Sequence, residues 1–322
     1  MPNVLILGGT GYLGLSLGQS LLRSGNYSVW GLARTAEKAK LLTTNEINPV
    51  VGDVSDPATI TSAIAKASID VVIDATSAYE QASTILKAVI QASKTRRDAL
   101  AREGAVGPKL GFVYTSGSWV HGSPKERVSD LTPVGNSLAS SKPATAVSWR
   151  PGHEQAILAA RDTLNIAILR PGAMYGRTSW VWGTWWGGVL AASKSGSMDA
   201  IQVPADCEAV TGCIHVDDVV SAFHAAVDRI DGLLGAWPVF DLVGETISIE
   251  EIMGAVKEIL NVKAPLKYAG THGNPFLEAL SLVSKDDASR ARIVMGWQAK
   301  RTEFLLNMPV YVKAWAATQE GK

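Results

Sequence analysis

Through its first half the chain alternates short, mainly apolar runs with longer stretches of helical period. The runs are NVLIL at 3–7, YSVWGLA at 27–33, INPVV at 47–51, DVVIDA at 70–75, LGFVYT at 110–115 and NIAILR at 165–170. A strand that is apolar throughout predicts burial on both faces, which is the condition of a parallel sheet covered by crossover helices. The stretches between the runs supply those helices. The first follows a glycine-rich turn and reaches about Ser24, and a second opens at Asp56-Pro57, an N-cap followed by a first-turn proline. A long third helix is predicted from Tyr79 to about Arg102. The pattern predicts a doubly wound α/β fold with right-handed crossovers.

The second half is less regular. SWVWGTWWGG at 179–188 reads as a Trp- and Gly-rich loop running into a helix. A short strand and a helix starting near Asp217 follow, and WPVFDLVG at 237–244 adds one more sheet strand. Helices are predicted near 249–260, near 286–295 and from about Thr302. There is no internal repeat, low-complexity tract or flexible linker, so any second domain is interleaved with the first.

Composition narrows the class. The 322 residues are 47% hydrophobic, enough for one large core or a domain and a half. Lys and Arg together number 30, and Asp and Glu together also number 30. With no net charge and no basic run, nothing draws the chain to nucleic acid or an anionic membrane. The N-terminus reads as a buried strand, not a leader. The two cysteines, Cys207 and Cys213, suit a reducing cytoplasm. The run Cys207, Cys213, His215, Asp217 fits no zinc spacing, so no metal is expected.

The first apolar run continues into LILGGTGYLG, which sets Gly8, Gly11 and Gly14 between a strand and a helix. The first glycine permits the tight turn, the second lets backbone approach a pyrophosphate, and the third lets helix pack on strand. The helix N-terminus then offers free N–H groups to the phosphates, which assigns Gly8, Thr10, Gly11, Tyr12 and Leu13 to a dinucleotide. The second strand ends GLARTAEK. An acid there would hold ribose hydroxyls, but Arg34 stands in that place with Lys38 one turn on. A guanidinium forks onto a 2′-phosphate, which predicts NADP(H).

Together these motifs resemble the extended short-chain dehydrogenase/reductases, the NAD-dependent epimerase/dehydratase group, over nearly the whole chain. GGTGYLG is similar to the family's glycine motif and GDVSD to its adenine-contacting segment, which implicates Asp53 and Val54. IDATSA is similar to the segment passing the cofactor after the fourth strand, with Ala75, Thr76 and Ser77. FVYTSGSWVHG resembles the segment carrying the family's serine. LRPGAMYG resembles the nicotinamide-end segment, with Pro171, Gly172 and Ala173. IHVDDVVSAF and ARIVMGWQAK resemble two further family elements. The resemblance implies a Rossmann domain of 1–176 plus about 217–245, and a smaller interleaved substrate domain of about 177–216 plus 246–322. It also implies a small-molecule substrate and a homodimer through two surface helices.

The family's proton relay is a Tyr-x-x-x-Lys pair with a serine. Glu154 resembles the glutamate four residues beyond that lysine, which puts Arg150 in the lysine's place and Ala146 in the tyrosine's. The serine aligns best at Gly117. Arg150 keeps a charge able to hold ribose, phosphate or a substrate anion, but it cannot act as a base. Pro151 places it at a helix N-terminus, where the macrodipole disfavours a cation; this points to a site role, and an i,i+4 pair with Glu154 is the structural alternative. The substitute catalytic candidates are Ser116, Ser118 and His121, the last having a pKa suited to proton transfer or a place in the core. Tyr79, Tyr114 and Tyr175 are further phenols. Trp180, Trp182, Trp185 and Trp186, with Tyr79, Trp149 and Tyr175, are the candidate lining of a pocket for a flat or apolar substrate.

Three functions follow. The first is an NADP(H)-dependent oxidoreductase or epimerase with a substituted proton donor, acting on a small apolar or aromatic carbonyl or alcohol. The second is a lyase, isomerase or cyclase that keeps NADP as a scaffold. The third is a non-catalytic NADP(H)-sensing protein.

Overall fold

The computed structural model describes residues 1–319, so the end of the predicted segment 246–322 lies outside the described residues. Seven strands form one parallel sheet: β1 (Asn3–Leu7), β2 (Ser28–Ala33), β3 (Asn48–Val51), β4 (Val71–Asp74), β5 (Leu110–Thr115), β6 (Leu164–Pro171) and β7 (Val239–Leu242). Their order across the sheet is β7-β6-β5-β4-β1-β2-β3, with every pairing parallel. The order reverses between β1 and β4, and a doubly wound sheet opens its binding crevice at such a point.

Successive residues of each strand feed opposite faces. Val4, Ile6, Ile73, Val113 and Leu169 join a core with the helices Tyr12–Ser24 and Val216–Val227. Leu5, Leu7, Val72, Phe112 and Ile168 join another with the helices Pro57–Lys66, Ala82–Arg102 and Arg150–Ala159. This double cover is why these strands have no polar face.

A third core lies in the later segments. It joins Ala173 and Tyr175 to Trp182, Trp185, Trp186, Ile252, Met253, Phe304 and Trp315. Around it stand a three-stranded sheet of Ala173–Tyr175, Val210–His215 and Glu245–Ser248, and a pair of Ile201–Val203 with Leu266–Tyr268. Ser248 starts the helix Ile249–Ile259 with a capping box completed by Glu251.

Two element boundaries depart from the pattern. Tyr79–Gln81 is a separate 3₁₀ turn ahead of the helix Ala82–Arg102. Asp286 and Asp287 pair with Val128 and Ser129 as strands, so the helix predicted near 286–295 is confined to Ser289–Met295.

Candidate active site

The glycine turn is closed by backbone contacts that exclude a side chain. Gly8 has φ +82°, and a Cβ there would lie 2.6 Å from the carbonyl oxygen of Ala75. A Cβ on Gly14 would lie 2.2 Å from the Gly8 oxygen, while the Gly11 N–H donates to that same oxygen at 2.9 Å. The helix Tyr12–Ser24 starts with no acidic residue in its first turn and no side chain capping its N–H groups. Backbone donors and positive helix potential therefore face the crevice, as a bound diphosphate needs. The residues present fit a dinucleotide.

Around the turn, Thr76 donates twice to the buried Asp74, from its N–H at 3.0 Å and its hydroxyl at 2.7 Å. This fixes the Ala75–Ser77 segment beside Gly8. Burial raises the pKa of Asp74, and the Thr76 bonds and the field of Arg150 oppose the shift. Arg34 stands exposed at the end of β2, and Lys38 one turn on is also exposed. The Asp53 carboxyl accepts from the Ser55 N–H at 2.8 Å; that bond, with a smaller contribution from Arg34, holds its pKa below the usual range. Val54 packs partly buried against the core under β2. The Tyr12 hydroxyl donates to the carbonyls of Tyr175 and Gly176, at 3.1 and 2.7 Å, so only its backbone is left for a phosphate.

Past β5 the structure separates the catalytic candidates. The Ser116 hydroxyl donates to Glu154 Oε1 at 2.5 Å and is 3% exposed, so it is spent internally. His121 is buried with Nε2 2.9 Å from Asp241 Oδ2. Burial lowers its pKa, but the Asp241 charge and hydrogen bond win and leave it raised. His121 is thus part of a buried charge network, and the expectation of a free acid–base group there is corrected. Ser118 is buried at the start of a 3₁₀ turn.

Glu154, expected to pair with Arg150, instead takes the fork of Arg170, at 3.0 Å from Nε and 2.6 Å from Nη2. Arg170 also lies 3.6 Å from Asp241. Sequence reasoning missed Arg170 and Asp241. The available signal was a charge closing each of two otherwise apolar strands, which burial permits only with partners.

Arg150 is left alone. It is 8% exposed, its Nε is buried without a hydrogen-bond partner, and no ion pair forms to it among the described residues. Two rings face its Cζ: Tyr79 at 5.2 Å and Trp149 at 5.8 Å from their centroids. The Tyr79 and Trp149 rings lie 5.9 Å apart, and Tyr79 is half-exposed. A Cβ on Gly117 would come within 2.6 Å of Arg150 Nη1, so the guanidinium occupies the space a side chain at 117 would need. The structure therefore brings together Arg150, Tyr79, Trp149 and Gly117 beyond the ends of β4 and β5. Ala146 sits half-buried one turn before Arg150 and offers no polar group.

The remaining aromatic candidates divide. Trp182, Trp185 and Trp186 are at most 2% exposed and pack among Phe304 and Trp315, which corrects their assignment to a pocket wall. Apolar area drives them inward: Trp182 places its N–H on the Met174 carbonyl at 2.8 Å, while the Trp185 and Trp186 N–H groups go without partners. Tyr175 is also core, its hydroxyl donating to the Arg301 carbonyl at 2.7 Å. Trp180 alone of the four is open to solvent, stacked on Phe276 at 5.4 Å beside a surface cavity of about 410 Å³. Pro171 and Gly172 are buried; a Cβ on Gly172 would meet the Gly212 oxygen at 2.5 Å, so this glycine lets Val210–His215 approach β6. Ala173 begins the strand paired with Val210–His215.

Neither cysteine is paired, Cys207 being exposed and Cys213 buried. Among the described residues no group of His, Cys, Asp and Glu is arranged to hold a metal ion, and no helix is long and apolar enough to cross a membrane.

Known structures share this architecture over their whole length. A dTDP-glucose 4,6-dehydratase from Bacillus anthracis, solved with NAD, superposes with TM-score 0.71 at 16% identity, covering 99% of this chain and 98% of its own. A UDP-glucuronic acid 4-epimerase from Bacillus cereus, bound to UDP-glucuronic acid and NAD, gives 0.71 at 17%, covering 98% and 99%. A UDP-glucose 4-epimerase from Bifidobacterium longum, bound to NAD+ and UDP, gives 0.67 at 18%, covering 99% of both chains. Curated protein sequences yield no match. The profile of the NAD dependent epimerase/dehydratase family matches residues 4–235, and the chain belongs to that family.

Proposed function

We propose that the protein is an NADP(H)-dependent oxidoreductase or epimerase of the extended short-chain dehydrogenase type, acting on the carbonyl or alcohol of a small apolar or aromatic molecule. The observation that carries this reading is the unpaired Arg150 between Tyr79 and Trp149, beyond the same strand ends as the glycine turn. When bound, the nicotinamide ring supplies or accepts a hydride. Gly8, Gly11 and the N–H groups of the helix Tyr12–Ser24 hold the diphosphate. Arg34 holds the 2′-phosphate. Arg150 offers its N–H donors to negative charge on the substrate beside the reacting carbon, since a guanidinium donates but does not give up its proton. The proton comes from Tyr79, the half-exposed phenol beside it, because Ser116 and His121 are committed to Glu154 and Asp241.

Two measurements test this. In calorimetry, Arg34→Ala weakens NADP(H) at least about tenfold, or about 1.4 kcal/mol, and leaves NAD(H) within a few-fold. Equal losses for the two coenzymes overturn the phosphate assignment. With aromatic aldehydes and ketones, NADPH absorbance falls in the wild type, and Tyr79→Phe slows that decay at least about a hundredfold without weakening the coenzyme. An unchanged rate removes Tyr79 from the mechanism, and turnover without any absorbance change favours a dinucleotide kept as scaffold.

A further inference from the structure

We propose that Arg150, Tyr79, Trp149 and Gly117 form a subsite for an aromatic carboxylate, so that the substrate carries an anionic group next to a flat ring. The proposal deepens the functional reading above and names the class of molecule the site takes.

The charge balance around Arg150 carries the inference. A cation taken out of water costs several kcal/mol unless a counter-charge and hydrogen bonds replace its hydration. Among the described residues no carboxylate bonds Arg150: Glu154 is held by Arg170 and Ser116, while the buried Asp74, whose pKa burial raises, feels the field of Arg150 but spends its hydrogen bonds on Thr76. Among the other neighbours, Tyr114 is buried with its phenol pKa pushed up by burial, and burial lowers the pKa of the nearby His153. The rings of Tyr79 and Trp149 meet the cation through their faces, but a ring face leaves the fork of N–H donors unspent. The helix Arg150–Ala159 adds positive potential at the same point and carries no acid in its first turn. An anion entering the crevice therefore meets a guanidinium whose N–H donors have no partner among the described residues.

The shape of the anion follows from what surrounds the fork. Arg binds planar carboxylates in a bidentate manner, and the missing side chain at Gly117 leaves room for the guanidinium to stay in place. Tyr79 and Trp149 offer tilted ring faces 5.9 Å apart by centroid, half-exposed and half-buried respectively. Rings so placed favour a flat partner over a compact hydrated anion.

The test uses the full chain saturated with NADP+ and calorimetric titration of benzoate, benzamide and acetate. Benzoate binds, and benzamide, its neutral isostere, binds at least tenfold more weakly, as does acetate, which has the charge without the ring. Arg150→Met keeps the aliphatic stem and removes benzoate binding. Gly117→Ser retains Arg150 and lowers benzoate affinity at least fivefold by taking the space of Nη1. Benzamide binding as tightly as benzoate, or benzoate affinity unchanged in Arg150→Met, overturns the proposal. So does a wild type in which benzoate fails to bind while Arg150→Met weakens NADP+ more than tenfold, since Arg150 then serves the coenzyme. Benzoate is also titrated into the coenzyme-free chain. If NADP+ itself fails to bind, the functional reading falls, and this titration still decides the subsite.

Discussion

Arg150 and its neighbours show what a single residue leaves open in one dimension. Its charge and its place at a helix start are legible, and so is the i,i+4 spacing to Glu154. The structure gives Glu154 to Arg170 instead, because a buried bidentate fork satisfies both carboxylate oxygens at once. Beyond that pair the network continues through Asp241 to His121, with Asp130 and Asp286 close enough for their charges to interact with it. Burial, with the Asp241 charge adding to it, raises Asp130 to about 6, and both its oxygens lack hydrogen bonds. An acid whose native pKa exceeds its unfolded value near ~3.9 binds more protons when folded. Its contribution to stability is full below about pH 4 and is lost as pH rises through about 6. Asp130→Asn removes that titration. Urea midpoints of the variant therefore gain on the wild type as pH rises from about 4 to about 6, by roughly 1 kcal/mol per unit at the steepest. Midpoints that run parallel across this range discard the assignment.

At the scale of the element, local signals sufficed where one residue type answers one local demand. Asp56 caps the helix Pro57–Lys66 by accepting from the Ala58 N–H at 3.0 Å, as its place before Pro57 predicts. The glycine turn was legible from its spacing, and Gly8 and Gly14 sit where a Cβ would meet backbone at under 3 Å. Gly14→Ala sets a methyl 2.2 Å from the Gly8 oxygen and pushes the helix start away from β1. Thermal unfolding of the variant should lose about 1–3 kcal/mol, and NADP+ affinity should fall at least about tenfold with it. Normal coenzyme affinity in a destabilised variant would show that the helix N–H groups do not hold the diphosphate. The boundary at Tyr79 was not legible, because a 3₁₀ turn and the first turn of an α-helix share the same side-chain spacing over three residues.

Across the whole molecule, the inner strands of the parallel sheet could be read from the chain because double burial marks nearly all their positions, whereas the edge strand β3 is largely exposed. Hydrophobicity is counted residue by residue, and a strand that is apolar on both faces tells its surroundings without naming its neighbours. The glycine motif was legible because its spacing is fixed within one turn, although the backbone that Gly8 must clear belongs to Ala75, just past β4. The tryptophans were not. An indole looks the same in sequence whether it lines a pocket or fills a core, and only packing against Phe304 and Trp315, more than 100 residues away, buried three of the four. The site itself was half legible. The sequence pattern led to the expectation of an arginine in the lysine's place beside the glycine turn. Only tertiary structure decided which charges would cancel. A buried ion's partner is chosen by distance in space, and that choice spent Ser116, His121 and Glu154 elsewhere while leaving Arg150 unpaired.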